Sequence, residues 1–152
     1  MRIVLFQPEI PPNTGNIARL CAATNTPLHL IEPLGFKLDD KHLKRAGLDY
    51  WPSVRLTVHH DWTAFAAAYP TARIVLTSAR GGVPHTHFRF AKDDAIVLGP
   101  ESRGLPDFLY QLHEARVRIP VLPAVRSLNL STAAGILLYE ALRQTGGVEL
   151  LP

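Results

Sequence analysis

Three polar segments of this 152-residue chain carry side chains that could act on a ligand. They are Asn13-Thr14-Gly15-Asn16-Ile17-Ala18-Arg19, Leu98-Gly99-Pro100-Glu101-Ser102-Arg103-Gly104-Leu105 and Arg126-Ser127-Leu128-Asn129-Leu130-Ser131. In the second, two glycines bracket a carboxylate and an arginine. Glycine lets backbone amides and carbonyls approach a ligand closely, and a carboxylate there is placed to bind a ribose hydroxyl or an amine. Taken alone, the same residues are equally a pair of turns. In the first segment Gly15 sits near an expected helix start, where N–H groups without helical partners attract anions. Arg19 would reach a phosphate held there, although a capped helix with a solvated arginine fits the spacing as well. In the third, Ser127, Asn129 and Ser131 alternate with leucines where a helix should begin. Capping needs only one short polar side chain, and Ser127 would suffice. The surplus points to a ligand.

Other chemistries are argued against. Neither GxGxxG nor GxxxxGK[ST] occurs, so dinucleotide-fingerprint and Walker-type sites are not expected. His59-His60 and His85-x-His87 have no carboxylate or cysteine at metal-ligand spacing; they read as exposed loop histidines, and no metal is expected. The single cysteine, Cys21, excludes an internal disulfide framework and a cysteine-based zinc site. It reads as a small hydrophobe on the core face of the first helix.

The elements that must position these residues alternate regularly. Strands are expected over 3–6, 28–31, 54–58, 73–77, 95–98 and 117–120. Helices are expected from Asn13 or Thr14 (one of them the cap) through Ala22, over 39–46 with Gly47 closing it, and over 61–69, 106–112 and 128–144. The runs at 73–77 and 95–98 are continuously apolar, as in parallel sheets covered on both faces. The expectation is one α/β domain spanning 1–152, an open, mostly parallel six-stranded sheet with helices on both faces. In such sheets ligands bind at the carboxyl ends of the strands, which is where the polar loops after Phe6, Thr77, Leu98 and Ile119 fall. The last helix has almost no polar face. Either it lies at a homodimer interface, the favoured reading, or the chain's own loops cover it.

Composition limits the partners. Hydrophobic residues make up 47% and charged residues 19%, as in globular proteins. No apolar run approaches the ~20 residues of a membrane span, and the N-terminus lacks a signal-peptide layout. A cytoplasmic protein without membrane contact is expected. The net charge of +3 is compatible with nucleic acid. Twelve of the sixteen cations are arginine, which suits phosphate contact, though an arginine-rich proteome explains the count equally well. Lys37, Lys41, Lys44 and Arg45 form either a solvated face or a contact to a nucleic-acid backbone. Tyr50 and Trp51 are either core residues or a platform for a base.

Taken together, the segments at 13–19, 98–105 and 126–131 resemble the three motifs of the SPOUT RNA methyltransferases, in order and spacing. The match runs from Met1 to about Gly146. Residues 9–16 and 45–51 resemble one subgroup, the minimal tRNA 2′-O-methyltransferases of the wobble cytidine and uridine. The resemblance implies a C-terminal deep trefoil knot, a homodimer, and S-adenosylmethionine as methyl donor with S-adenosylhomocysteine as product. Thr77, Gly99, Ile119, Ser127 and Leu128 would contact that cofactor, largely through backbone groups. The substrate would be the tRNA anticodon stem-loop. The ribose 2′-hydroxyl of nucleotide 34 would attack in line, with Arg19 the key residue, Asn13 supporting it, and Glu101 and Asn129 shaping the site. An arginine is a poor base because its pKa exceeds ~12. Arg19 is therefore expected to orient the substrate phosphate and stabilise developing oxyanion charge. Two alternatives stand beside this: the same chemistry at another tRNA position or on ribosomal RNA, and a non-catalytic RNA-binding module.

Overall fold

The computed structural model describes residues 1–39 and 49–152. Among these, seven strands form one sheet: β1 (Arg2–Phe6), β2 (Leu28–Ile31), β3 (Leu56–His59), β4 (Arg73–Thr77), β5 (Val83–Pro84), β6 (Asp94–Leu98) and β7 (Arg116–Arg118). Their spatial order is β3-β2-β1-β6-β4-β7-β5. Every neighbouring pair is parallel. The sheet thus has one strand more than expected. The addition, β5, is two residues long and contains a proline, so no apolar periodicity announces it. Proline is tolerated there because β5 is an edge strand. β3 begins at Leu56, not Val54, because a 3₁₀ turn at Trp51–Ser53 precedes it.

Strand alternation sorts the core into two layers. Ile3 and Leu5 of β1, with Ile96 and Leu98 of β6, face one side. There they meet Ile17, Ala18 and Cys21 of helix α1 (Pro11–Ala23) and Leu137, Leu138 and Ala141 of α4 (Leu130–Thr145). Val4 and Phe6, with Ala95 and Val97, face the other side. They pack on Trp62 and Phe65 of α2 (Trp62–Ala68) and Leu109 of α3 (Asp107–Leu112). Helices therefore cover both faces, and β1 and β6 read as unbroken apolar runs for that reason. Complete burial of each leucine or isoleucine contributes roughly 1.5–3 kcal/mol.

Two helix starts differ from expectation. α1 begins at Pro11, so Asn13 lies inside the first turn and neither it nor Thr14 is the cap; Ile10 is, with no side-chain cap bond. Pro11 and Pro12 lack the N–H groups that a cap would satisfy. α4 is capped by Asn129, whose side chain accepts from the Ser131 and Thr132 N–H groups, and not by Ser127. The helix expected over 39–46, with Gly47, lies outside the described residues from position 40 onward, as do Lys41, Lys44 and Arg45. The last helix buries a stripe and leaves Tyr139 on its outer side 45% exposed. His59 is buried, not a loop residue; it ends β3 against His29. No helix among the described residues is long and apolar enough to cross a membrane.

Candidate active site

Parallel strands bring their carboxyl ends to one rim, and the loops leaving β1, β4, β6 and β7 meet there. A cavity of about 640 Å³ lies among them, within the ~300–1,000 Å³ typical of small-ligand sites. Thr77 enters from the end of β4, Gly99 and Glu101 from the loop after β6, and Ile119 from the segment after β7. Ser127, Leu128 and Asn129 enter from the approach to α4, and Asn13 from α1. Eight of the nine site residues expected from sequence thus line one space. Arg19 does not. It lies on the exposed side of α1, with its guanidinium carbon 5.9 Å from the centre of the Tyr50 ring.

The three motif segments are joined by side chains. Asn129 Nδ2 donates to Asn13 Oδ1 at 2.9 Å, and Asn13 Nδ2 donates to Glu101 Oε1 at 3.2 Å. Asn129 Oδ1 meanwhile accepts from Ser131 N, Ser131 Oγ and Thr132 N at 2.9, 2.6 and 3.3 Å. Both ends of each amide are therefore used, which fixes their orientation; Asn13 is buried and Asn129 is exposed at the cavity mouth. The Glu101 carboxylate also accepts from the Glu9 and Ile10 backbone N–H groups, at 2.9 and 3.2 Å.

A second set of bonds closes the same two loops and was not foreseen. The Glu9 carboxylate accepts from Ser102 N at 3.0 Å and from Ser102 Oγ at 2.8 Å. Those bonds hold the Glu9 carboxyl below its ordinary value. Glu9 and the 101–102 pair thus clasp each other reciprocally. Arg103 Nη2 adds a bond to Gln7 Oε1 at 2.7 Å. The Tyr110 hydroxyl donates to the Thr77 carbonyl at 2.9 Å, and burial raises its pKa. Only the position of Gln7-Pro8-Glu9, just past a strand's carboxyl end, could have flagged this clasp in advance.

The loop after β6 depends on its glycines. A Cβ on Gly99 would come within 2.4 Å of Leu105 N and 2.5 Å of Gly104 C. Gly104 has φ +73°, the left-handed region that favours glycine. The loop therefore folds back on itself and presents backbone to the cavity. Tyr50 and Trp51 are half-buried and pack against the α1 side of the core, with the Tyr50 hydroxyl donating to Gly15 O at 3.0 Å.

Comparison with known proteins bears on this geometry. A model of the SpoU rRNA methylase family matches residues 1–139. The chain is 54% identical over 144 residues to a tRNA (cytidine(34)-2′-O)-methyltransferase of Methylovorus glucosotrophus (strain SIP3-4), covering 93% of this chain and 94% of that one. It is 47% identical over 148 residues to the Escherichia coli (strain K12) protein of the same name, covering 96% and 94%. A solved structure described as giving insights into the 2-OH methylation of C/U34 on tRNA superposes with a TM-score of 0.90. It is 51% identical and covers 94% of each chain. The SpoU methyltransferase AviRb of Streptomyces viridochromogenes, solved in complex with AdoMet, is 26% identical with a TM-score of 0.80. That match covers 95% of this chain and 60% of AviRb.

Proposed function

Because the chain belongs to the SpoU methylase family, we propose that it methylates the ribose 2′-hydroxyl of nucleotide 34, cytidine or uridine, in tRNA, with S-adenosylmethionine as donor. The observation that carries this reading is the joining of Asn13, Glu101 and Asn129 around one cavity. Near-full-length relatives named for methylation at position 34 support it over another tRNA position or ribosomal RNA.

The cavity suits the donor. Leu98, Ile119, Leu128 and Leu137 supply an apolar wall for a purine. The folded-back Gly99 loop and Thr77 bring backbone groups to the same space. Thr77, Gly99, Ile119, Ser127 and Leu128 are the residues that would hold it. When bound, S-adenosylmethionine supplies an electrophilic methyl carbon.

The remaining work falls to the chain. A ribose hydroxyl is a weak nucleophile and must be oriented. Arg19, exposed on α1, takes a substrate phosphate and stabilises charge developing on the 2′-oxygen. A guanidinium has no lone pair to accept a proton, so the proton leaves through the phosphate or a water. Glu101 already accepts three N–H donors, which assigns it to positioning Asn13 and not to taking the proton. Asn13, held at both ends of its amide, positions the start of α1 against the cavity.

The exposed Tyr139 on α4 supports a homodimer through that helix, which sedimentation of Tyr139→Glu beside the unaltered chain would test. The knot belongs to the same proposal. Its support is the contact of the last helix with the segment before β6, where Gln144 of α4 accepts from Phe90 N and donates to Phe88 O. A tRNA-modifying role places the protein in the cytoplasm. Mapping ribose methylation in tRNA from cells with and without the gene tests the function: methylation at position 34 should vanish with the gene.

A further inference from the structure

A second pocket, of about 430 Å³, lies at the end of the sheet away from the cavity. Its lining includes Arg2, His29, Arg55, Thr57 and Tyr69. Arg2 opens β1, His29 is the second residue of β2, and Arg55 immediately precedes β3. The pocket therefore faces the amino ends of three adjacent strands.

Its charge is unbalanced. Neither arginine has a carboxylate partner among the described residues, whose ion pairs are His60–Glu32, Arg73–Asp94 and Arg143–Glu140. The Arg2 guanidinium carbon sits 4.3 Å from the centre of the Tyr69 ring, which holds it in place. Arg55 Nη1 donates to the Asn25 carbonyl and Oδ1 at 3.3 and 3.4 Å. Those bonds occupy one of its nitrogens and leave the others available.

His29 supplies the independent observation. It is only 2% exposed, yet its Nε2 is buried without a hydrogen-bond partner. Such atoms are rare in native proteins and call for a partner. Its Nδ1 lies 3.0 Å from His59 Nε2. Burial, then His59 and the two arginines, lower its pKa to about 4, so the ring is neutral near pH 7. When His59 Nε2–H donates to His29 Nδ1, the one remaining ring proton of His29 sits on Nε2 as a donor.

We propose that this pocket binds a phosphate group, with Arg2, Arg55 and His29 Nε2–H converging on its oxygens and the Thr57 hydroxyl at the rim. Arginine forks match phosphate geometry. The phosphate could belong to an RNA backbone or to a free phosphate compound. The binding chemistry is the same.

The test titrates the full-length protein with inorganic phosphate against chloride at matched ionic strength, following the histidine ring nitrogens by NMR. A saturable shift of the His29 signals is expected, lost in Arg2→Gln/Arg55→Gln. Arg55→Gln alone, at an exposed position, should weaken binding while the thermal midpoint stays put. No saturable shift in the unaltered protein, or equal affinity in the variants, overturns the proposal. A kinetic arm separates the sources. If the phosphate is that of tRNA, the double variant raises KM for tRNA roughly fivefold with kcat unchanged and lowers the salt slope by about 1. If it is a free compound, KM and slope stay as they were while the phosphate-induced shift is still lost. The titration needs no methyl transfer, so its failure is distinct from failure of the proposed activity.

Discussion

Asn129 donates a hydrogen bond to Asn13 over 2.9 Å, across 116 positions of the chain. Asn13 passes the connection to Glu101 at 3.2 Å. Three side chains in file thus tie helix α1, the loop after β6 and the start of α4 to one cavity. Each member holds the next, so the file should act as a unit.

Asn129 caps α4 with its oxygen and holds Asn13 with its nitrogen, and substitution can separate the two roles. Asn129→Asp keeps the capping oxygen and removes the donor. Its thermal midpoint should stay within a few degrees of the unaltered chain, while kcat/KM for tRNA methylation falls at least about tenfold. Asn129→Ala should lose about 1 kcal/mol of stability as well. Calorimetric melting beside a methylation assay reads both. A fully active Asp variant would remove the link from the mechanism.

Gly99→Ala places a methyl group 2.4 Å from Leu105 N, and backbone cannot yield as a flexible side chain would. The loop must open, so affinity for S-adenosylmethionine by calorimetry should fall at least about tenfold. Nothing lies within 4 Å of a Cβ on Gly104, whose cost is the left-handed φ alone. Gly104→Ala should lose about 1–2 kcal/mol of stability and bind the cofactor nearly normally.

Arg19 stands outside the cavity wall. Arg19→Lys should leave cofactor affinity unchanged and lower single-turnover methyl transfer at least about tenfold, because lysine cannot make the two-pronged phosphate contact. Near-normal transfer would refute a bidentate role.

The buried His29 makes stability pH-dependent. Its folded value of about 4 lies below the ordinary 6.5 because burial, followed by His59, Arg2 and Arg55, disfavours the charged ring. As pH falls past 6.5 the unfolded chain takes up a proton there and the folded chain does not. The stability from this ring is complete above pH 6.5 and is lost as pH falls from 6.5 to about 4. Urea melts at pH 7.5, 5.5 and 4.5 should show the decline, and His29→Gln should make it shallower, the remainder coming from His59 and His113, which burial also lowers.

Much of this arrangement was legible in the residues. The apolar runs of β4 and β6 announced a parallel sheet covered on both faces, and the three polar segments pointed to one site. What escaped had physical reasons. β5 is too short to carry a period and contains Pro84. By residue type Ser127 would suffice as one cap and Asn13 or Thr14 as the other, yet Pro11-Pro12 set the start of α1 and a distant partner orients Asn129. The Glu9–Ser102 clasp spans 93 positions and leaves no local pattern. His59 read as a loop residue because nothing local signals that a buried histidine awaits it on the neighbouring strand.

The most direct test of the central claim supplies purified protein with tRNA unmodified at nucleotide 34 and S-adenosylmethionine carrying a labelled methyl group. The label's position is then mapped by nuclease digestion and mass spectrometry. One methyl group is expected on the 2′-oxygen of nucleotide 34, with initial labelling at least about tenfold slower for Asn129→Asp. Label on a base, at another nucleotide, or at undiminished rate in that variant would contradict it.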